Sequence, residues 1–290
     1  MTGPLAGVRV VSVAVNLPGP AAVARLTSLG ADVTSVLPPA GDPLQEFAGA
    51  YFDELHAGQE VLRLDLKDPV GRARLEELLA DADVLVTSSR PSALRRLGLD
   101  HENVRIRHTG VCQVDIVGHP GEGAEVPGHD LTYQAGAGLI PDGRMPATTV
   151  VDLAAAERAA GEAAAALVER ARTGRGSRRE VALSDVADAL ARPLAHGLTG
   201  AHGLLGGSLP VYAVYAAADG HVALAALEAH FAQRLLTALE IGEEDLTGEH
   251  LARVFAARSA TEWQRWARER DIPLVAVSFT GSAQPAQGQH

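Results

Sequence analysis

The chain of 290 residues carries a single cysteine, Cys112, so it can form neither an internal disulfide nor a structural zinc site of the multi-Cys kind. No metal is expected. Basic charge is also scarce: Lys and Arg total 25 against 36 Asp and Glu, a formal net charge of −11. Neutralising nucleic-acid phosphates needs clustered Lys and Arg, so nucleic acid is excluded as the main partner, although a local basic pocket is not. No run reaches the roughly 18 apolar residues of a membrane span, and Met1-Thr2-Gly3-Pro4 does not open a basic-then-apolar leader. A cytoplasmic protein without a membrane partner is the expectation.

What is present alternates between two periods. Short β-branched runs are followed by longer helical stretches, the pattern of parallel strands joined by crossover helices, and the expected class is α/β with a doubly wound core. Val8 to Val15 reads as a buried strand, Pro18-Gly19-Pro20 as a turn, and Ala21 to Leu29 as a helix closed by Gly30. Strands are expected at Ala31 to Leu37, Val61 to Leu66 and Asp83 to Ser88, with a helix opened by Pro69 and running to about Ala82. Arg90 follows the last of these strands at its carboxyl end, where ligands gather in open α/β sheets.

Val151 to Arg172 is an Ala-rich helical stretch suited to close packing, ended by Thr173-Gly174-Arg175-Gly176. A strand at Val181 to Leu183 and a helix from Ser184 follow, with Asp185 and Asp188 in structural positions near the positive end of the helix dipole. From Val211 the pattern becomes a hairpin turning at Asp219-Gly220, then a helix from Phe231 to Leu239, with Glu228 at the corner between them. The expected division is a large domain over 1–185, a small α+β domain over 186–278, and a disordered polar tail over 279–290.

Several blocks in order resemble family III CoA-transferases (CaiB/BaiF). They are Pro4-Leu5-Ala6-Gly7-Val8, Leu17-Pro18-Gly19-Pro20 through Leu29-Gly30-Ala31-Asp32, Asp65-Leu66-Lys67, Arg90-Pro91 with Leu97-Gly98-Leu99, Gly128-His129-Asp130, Val151-Asp152, Arg172 to Gly176, and Ala218-Asp219-Gly220 leading to Leu227-Glu228. The resemblance implies a Rossmann-like large domain, a small domain and an interlocked homodimer with its active site between domains of different subunits. His129, where the transferases usually carry another residue, is similar to the α-methylacyl-CoA racemase branch, which also implies Asp152 and Glu228 as catalytic positions.

Racemising a 2-methylacyl thioester requires removing a weakly acidic proton from one face of a carbon and delivering one to the other. A neutral imidazole and a carboxylic acid can do this in either direction. The resemblance implies His129 on one face, Asp152 on the opposite one, and Glu228 accepting from the far ring nitrogen of His129 to fix its tautomer. Backbone amides at a helix start would serve the enolate oxygen. Arg90 and Asp130 are the candidate cofactor contacts; no cofactor is bound permanently, and a CoA thioester enters as substrate.

The chain departs from the family on the CoA side. The second strand runs on as Thr34-Ser35-Val36-Leu37-Pro38-Pro39 without the usual basic residue, and Ala57-Gly58-Gln59-Glu60 replaces a stretch that usually carries cations, with Arg63 placed within a strand. After Asp152, Leu153-Ala154-Ala155-Ala156-Glu157 replaces a Gly-rich run, and the added β-carbons are expected to narrow the site. The family's closing segment is expected to be absent or replaced by the polar tail. Three enzymatic readings follow: a racemase or epimerase of a 2-methylacyl-CoA, a family member redirected to a non-CoA substrate as an isomerase or cyclase, and a CoA-transferase with Asp152 as nucleophile. A catalytically silent dimeric binding protein is the reading from another class.

Overall fold

The computed structural model describes residues 3–278, and the chain divides into two compact units at Ala191/Arg192. The first unit runs β1 (Arg9–Ser12), α1 (Pro18–Ser28), β2 (Asp32–Leu37), α2 (Pro43–Phe47), α3 (Gly49–Leu55), β3 (Glu60–Arg63), α4 (Pro69–Ala80), β4 (Val84–Thr87), α5 (Pro91–Leu97), α6 (His101–Arg107), β5 (Cys112–Val117), α7 (Asp130–Gly136), α8 (Val150–Thr173), β6 (Arg178–Ala182) and α9 (Leu183–Ala195). The division falls within α9, because Val186 and Ala187 already pack into the core of the first unit. The tail expected over 279–290 lies outside the described residues.

All six strands pair in parallel in the order β3-β2-β1-β4-β5-β6, the doubly wound arrangement the alternating pattern predicts. Central strands β4 and β5 are buried along their whole length, as parallel strands covered on both faces must be. On β5, the buried Asp115 accepts from Thr87 Oγ1 (2.8 Å), Gln113 Nε2 (2.8 Å) and Arg178 Nε (2.6 Å), tying β4, β5 and β6 together. These polar residues interrupt the apolar run and hide the strand from periodicity.

Pro18-Gly19-Pro20, expected as a turn, is instead the first turn of α1. Proline is tolerated there because the first helical N–H groups have no partner inside the helix. Gly19 is required by closeness: a β-carbon on it would fall 2.3 Å from that of Ala14. Behind it, Ala22, Val23 and Leu26 of α1 meet Ala155, Ala156, Ala159, Ala160, Ala163 and Ala166 of α8 in one buried cluster. The small side chains let the two helices approach closely, and Gly174, in the left-handed region at φ 70°, ends α8.

The second unit carries the antiparallel hairpin β7 (Tyr212–Ala216) and β8 (His221–Ala225), with Tyr212 opposite Ala225. Three helices follow, α10 (Ala229–Leu239), α11 (Gly248–Phe255) and α12 (Ala260–Arg268), and then β9 (Leu274–Ala276), which pairs with β8. The hairpin closes through a four-residue loop in which Ala217 N–H donates to the Gly220 carbonyl. Asp219 in that loop accepts from Ala260 N–H at the start of α12. Phe255, Trp263, Leu235, Leu251 and Val222 fill this unit's own core. Among the described residues, no helix is long and apolar enough to cross a membrane.

Candidate active site

Strand order reverses between β1 and β4, and the chain leaving these strands diverges there to leave a crevice at their carboxyl ends. That crevice is a cleft of about 230 Å3 walled by Val15 and Asn16 after β1, by Ser88, Ser89 and Arg90 after β4, and by Gly118, His129, Tyr133 and Asp152. Its walls are braced by side chains. Asn16, at φ 68°, donates its N–H to both oxygens of the buried Asp42 (3.0 and 3.1 Å), and Ser88 Oγ accepts from Val15 N–H and donates to Val15 carbonyl. Glu125 accepts from both Ser92 N–H and Ser92 Oγ, holding the turn before His129 against the start of α5.

His129 occupies the residue before α7 with extended backbone, and its N–H donates to Thr132 Oγ1 (3.1 Å). The next residue points the other way: Asp130 is buried, and its carboxylate accepts from Val151 N–H (2.8 Å), Asp152 N–H (2.9 Å) and Gln134 Nε2. Thr149 supplies no cap to α8, so Asp130 caps that helix from a different element. Asp130 is not among the residues lining the cleft. Its place is beneath the start of α8 rather than facing a ligand.

Asp152 lies in the first turn of α8, where a carboxylate ordinarily gains from the helix dipole and free amides. Here Asp130 has already taken the amides of Val151 and Asp152. Left with burial first and the negative charge of Asp130 second, the Asp152 carboxyl is pushed up to about 7. Tyr133, buried in the same wall, is shifted upward by burial and then by the charge of Asp152.

Arg90 precedes α5 and lines the cleft with its side chain exposed to solvent. The structure thus brings Arg90, His129 and Asp152 to one cleft. Glu228 belongs to the second unit, where it is exposed and immediately precedes α10. The narrowing expected from Ala155 and Ala156 does not occur: both are buried in the α1–α8 cluster, outside the cleft, and Glu157 pairs with Arg25 on the surface.

A second cleft of about 450 Å3 shares Val15 and Ser89 with the first and is mainly apolar, with Val13, Val36, Leu64, Leu66, Leu94 and Leu97 in its walls. Its one lining cation is Lys67, the single lysine of the chain. Arg63, read from sequence as a strand residue, ends β3 and reaches over the loop after β2, donating to Pro39 carbonyl and Gln45 Oε1. Sequence reasoning missed Tyr133 and Asp42. Tyr133 had a legible signal, since residues four apart across α7 share a face with His129; Asp42 before Pro43 was legible as the cap of α2 but not as a brace of the cleft.

Fold and cleft define a doubly wound α/β protein with a titratable ligand site at the reversal of its strand order. The chain belongs to CoA-transferase family III, whose family model matches residues 5–287. It is 30% identical over 210 residues to a succinate–glutarate CoA-transferase of Agrobacterium fabrum, covering 64% of this chain and 52% of that enzyme. A CaiB/baiF CoA-transferase family protein of Caenorhabditis elegans is 26% identical, covering 99% of this chain and 89% of the other. The chain thus spans about half the length of some curated relatives and most of others. Among solved structures, a hypothetical protein from Mycobacterium tuberculosis matches with a TM-score of 0.80 at 24% identity, over 96% of this chain and 84% of that one, and shares its fold. The family is enzymatic, and the relatives named here are called transferases, not racemases.

Proposed function

We propose that the protein moves a proton between the two faces of the α-carbon in a 2-methylacyl-CoA thioester, racemising or epimerising that centre. The observation that carries this reading is the Asp152 carboxyl, raised to about 7 in the cleft that the His129 imidazole also lines. A group poised near neutrality can take a proton and return it within one turnover, as reversible exchange demands of each flank. In one direction His129 removes the α-proton as a neutral imidazole, and Asp152 in its acid form delivers a proton to the opposite face. In the other direction the roles exchange. Asp130 supports this chemistry indirectly, by holding the start of α8 and adding its charge beneath Asp152.

The paired clefts favour an extended substrate over a small one. An acyl thioester in the first cleft can continue past Val15 and Ser89 into the second, whose apolar walls suit an adenine and whose Lys67 suits a phosphate, while Arg90 offers a cation at the first. The experiment is incubation with a 2-methylacyl-CoA in heavy water. One deuterium should enter the 2-position, His129→Ala should stop it, and Glu228→Gln should slow it. Absence of wash-in by the unaltered protein ends the proposal.

A second reading, CoA transfer, is favoured by the names of the relatives. The Asp152 carboxylate would attack the thioester carbon and expel CoA as its thiolate, which returns to the Asp152 carbonyl and releases the donor acid. The acceptor carboxylate then displaces CoA from that aspartyl thioester, and the thiolate opens the resulting anhydride at the acceptor's carbonyl, giving the new thioester and restoring Asp152. His129→Ala separates the two, since it should leave transfer intact and abolish exchange.

A further inference from the structure

The first cleft contains a polar group that this chemistry leaves unused. Tyr133 is 5% exposed, its ring meets that of His119 edge-on at 5.4 Å, and its hydroxyl fills a notch between two glycines. A β-carbon on Gly118 or on Gly128 would each fall 2.4 Å from the phenol oxygen. The backbone of both loops is therefore shaped around that one atom. Although most of the side chain is buried, the hydroxyl is not one of the enclosed polar atoms without a partner; it opens on the cleft. Among the described residues none pairs with this one, and the side chain lines the cleft within electrostatic reach of both Asp152 and Arg90. A donor held firmly beside the reacting groups, yet unpartnered in the protein, points to an acceptor on the ligand.

We infer that Tyr133 is a further catalytic residue, whose phenol donates a hydrogen bond to the carbonyl oxygen of the acyl group bound in this cleft. The inference rests on the proton-transfer reading above. When the base removes the α-proton, the C–H electron pair becomes a C–C π bond and the carbonyl π pair moves onto oxygen. Tyr133 keeps its own proton throughout and holds the charge that gathers there. The electrons then return as the carbon takes a proton from the opposite group. Because the oxygen is more negative in the transition state than in the thioester, the bond strengthens as the reaction proceeds and acts on kcat rather than on binding.

The test is deuterium wash-in by Tyr133→Phe. Removing one such donor should lower kcat about 100-fold and leave KM within about threefold. Gly118→Ala provides an independent arm. In the unaltered background it crowds the hydroxyl and should lower kcat by a comparable factor. In the Tyr133→Phe background it should add no loss, because the nearest remaining ring atom, Cζ, lies at an ordinary 3.5 Å. Thermal melts of each variant separate lost activity from lost fold. If the unaltered protein exchanges deuterium and Tyr133→Phe keeps its kcat, or changes only KM, the assignment of Tyr133 is overturned while the proton-transfer reading stands. If the unaltered protein shows no exchange, both fall together.

Discussion

Replacing Asp152 by Asn should abolish proton exchange and stabilise the fold, by an amount that grows with pH. In the folded protein the carboxyl titrates at about 7, against an ordinary value of 3.8. Between those values the folded chain retains a proton that the unfolded chain has released, so stability falls as pH rises through that window and levels off above it. The difference of about 3 units, at about 1.36 kcal/mol each, sets a ceiling of about 4 kcal/mol. Solvent reaching the cleft reduces this to about 2 kcal/mol at pH 8, and the same linkage leaves about 0.8 kcal/mol at pH 5. The Asp152→Asn side chain cannot ionise and escapes the penalty. For a unit of this size, its melting temperature should exceed that of the unaltered protein by about 4–8 °C at pH 8 and by less than half as much at pH 5. Circular-dichroism melts in matched buffers at pH 5, 6.5 and 8 measure it. A gain that does not vary with pH, or a loss at pH 8, would refute the account of Asp152 as an uncompensated carboxyl.

Asp130→Asn removes the second cause of the raised Asp152 value, so the pH midpoint assigned to Asp152 in the exchange rate should move to lower pH, by less than about 1.5 units. The same change weakens the cap on α8 and should cost about 1 kcal/mol in a thermal melt; an unmoved midpoint shows that the charge of Asp130 is not felt. Because Lys67 is the only lysine, an amine-specific acylating reagent leaves one side-chain mark, told apart from the N-terminal amine by peptide mapping, and saturating CoA should slow the modification of Lys67. Lys67→Met should weaken CoA binding about tenfold in calorimetry, the loss of about 1.4 kcal/mol for one charged contact. Unchanged labelling and affinity would remove the second cleft from the substrate's path.

Much of the architecture is legible from local chemistry. Asp68-Pro69 marks the start of α4, where the Asp68 carboxylate accepts from Val70 and Gly71 N–H, and Gly174 marks the end of α8. The hairpin of the second unit is visible in its alternation. Elements whose residues serve distant partners are not: β5 is broken in sequence by Gln113 and Asp115, which make sense only against Thr87 and Arg178. The opening of α1 is ambiguous in sequence because Pro-Gly-Pro is both a turn signal and an acceptable first helical turn, and only the contact of Gly19 with Ala14 decides between them. At the site, the positions of Arg90, His129 and Asp152 could be marked in advance. The tyrosine one turn after His129 could be placed on the same face by its spacing, but the close fit of its hydroxyl between two glycines could not be read from the chain.

By itself, the sequence determined most of the succession of strands and helices, the doubly wound class they belong to, and the residue types at the cleft. Those follow from hydrophobic period and from turn and cap preferences, which act over a few residues. The proton affinity of Asp152 was decided only by the tertiary structure. Read along the chain, Asp152 stands at a helix start, where the dipole should keep it ionised. In the folded unit, a carboxylate 22 residues earlier takes the amides of that first turn, adds its own charge, and leaves Asp152 half-buried in the cleft, so the group is held near neutrality.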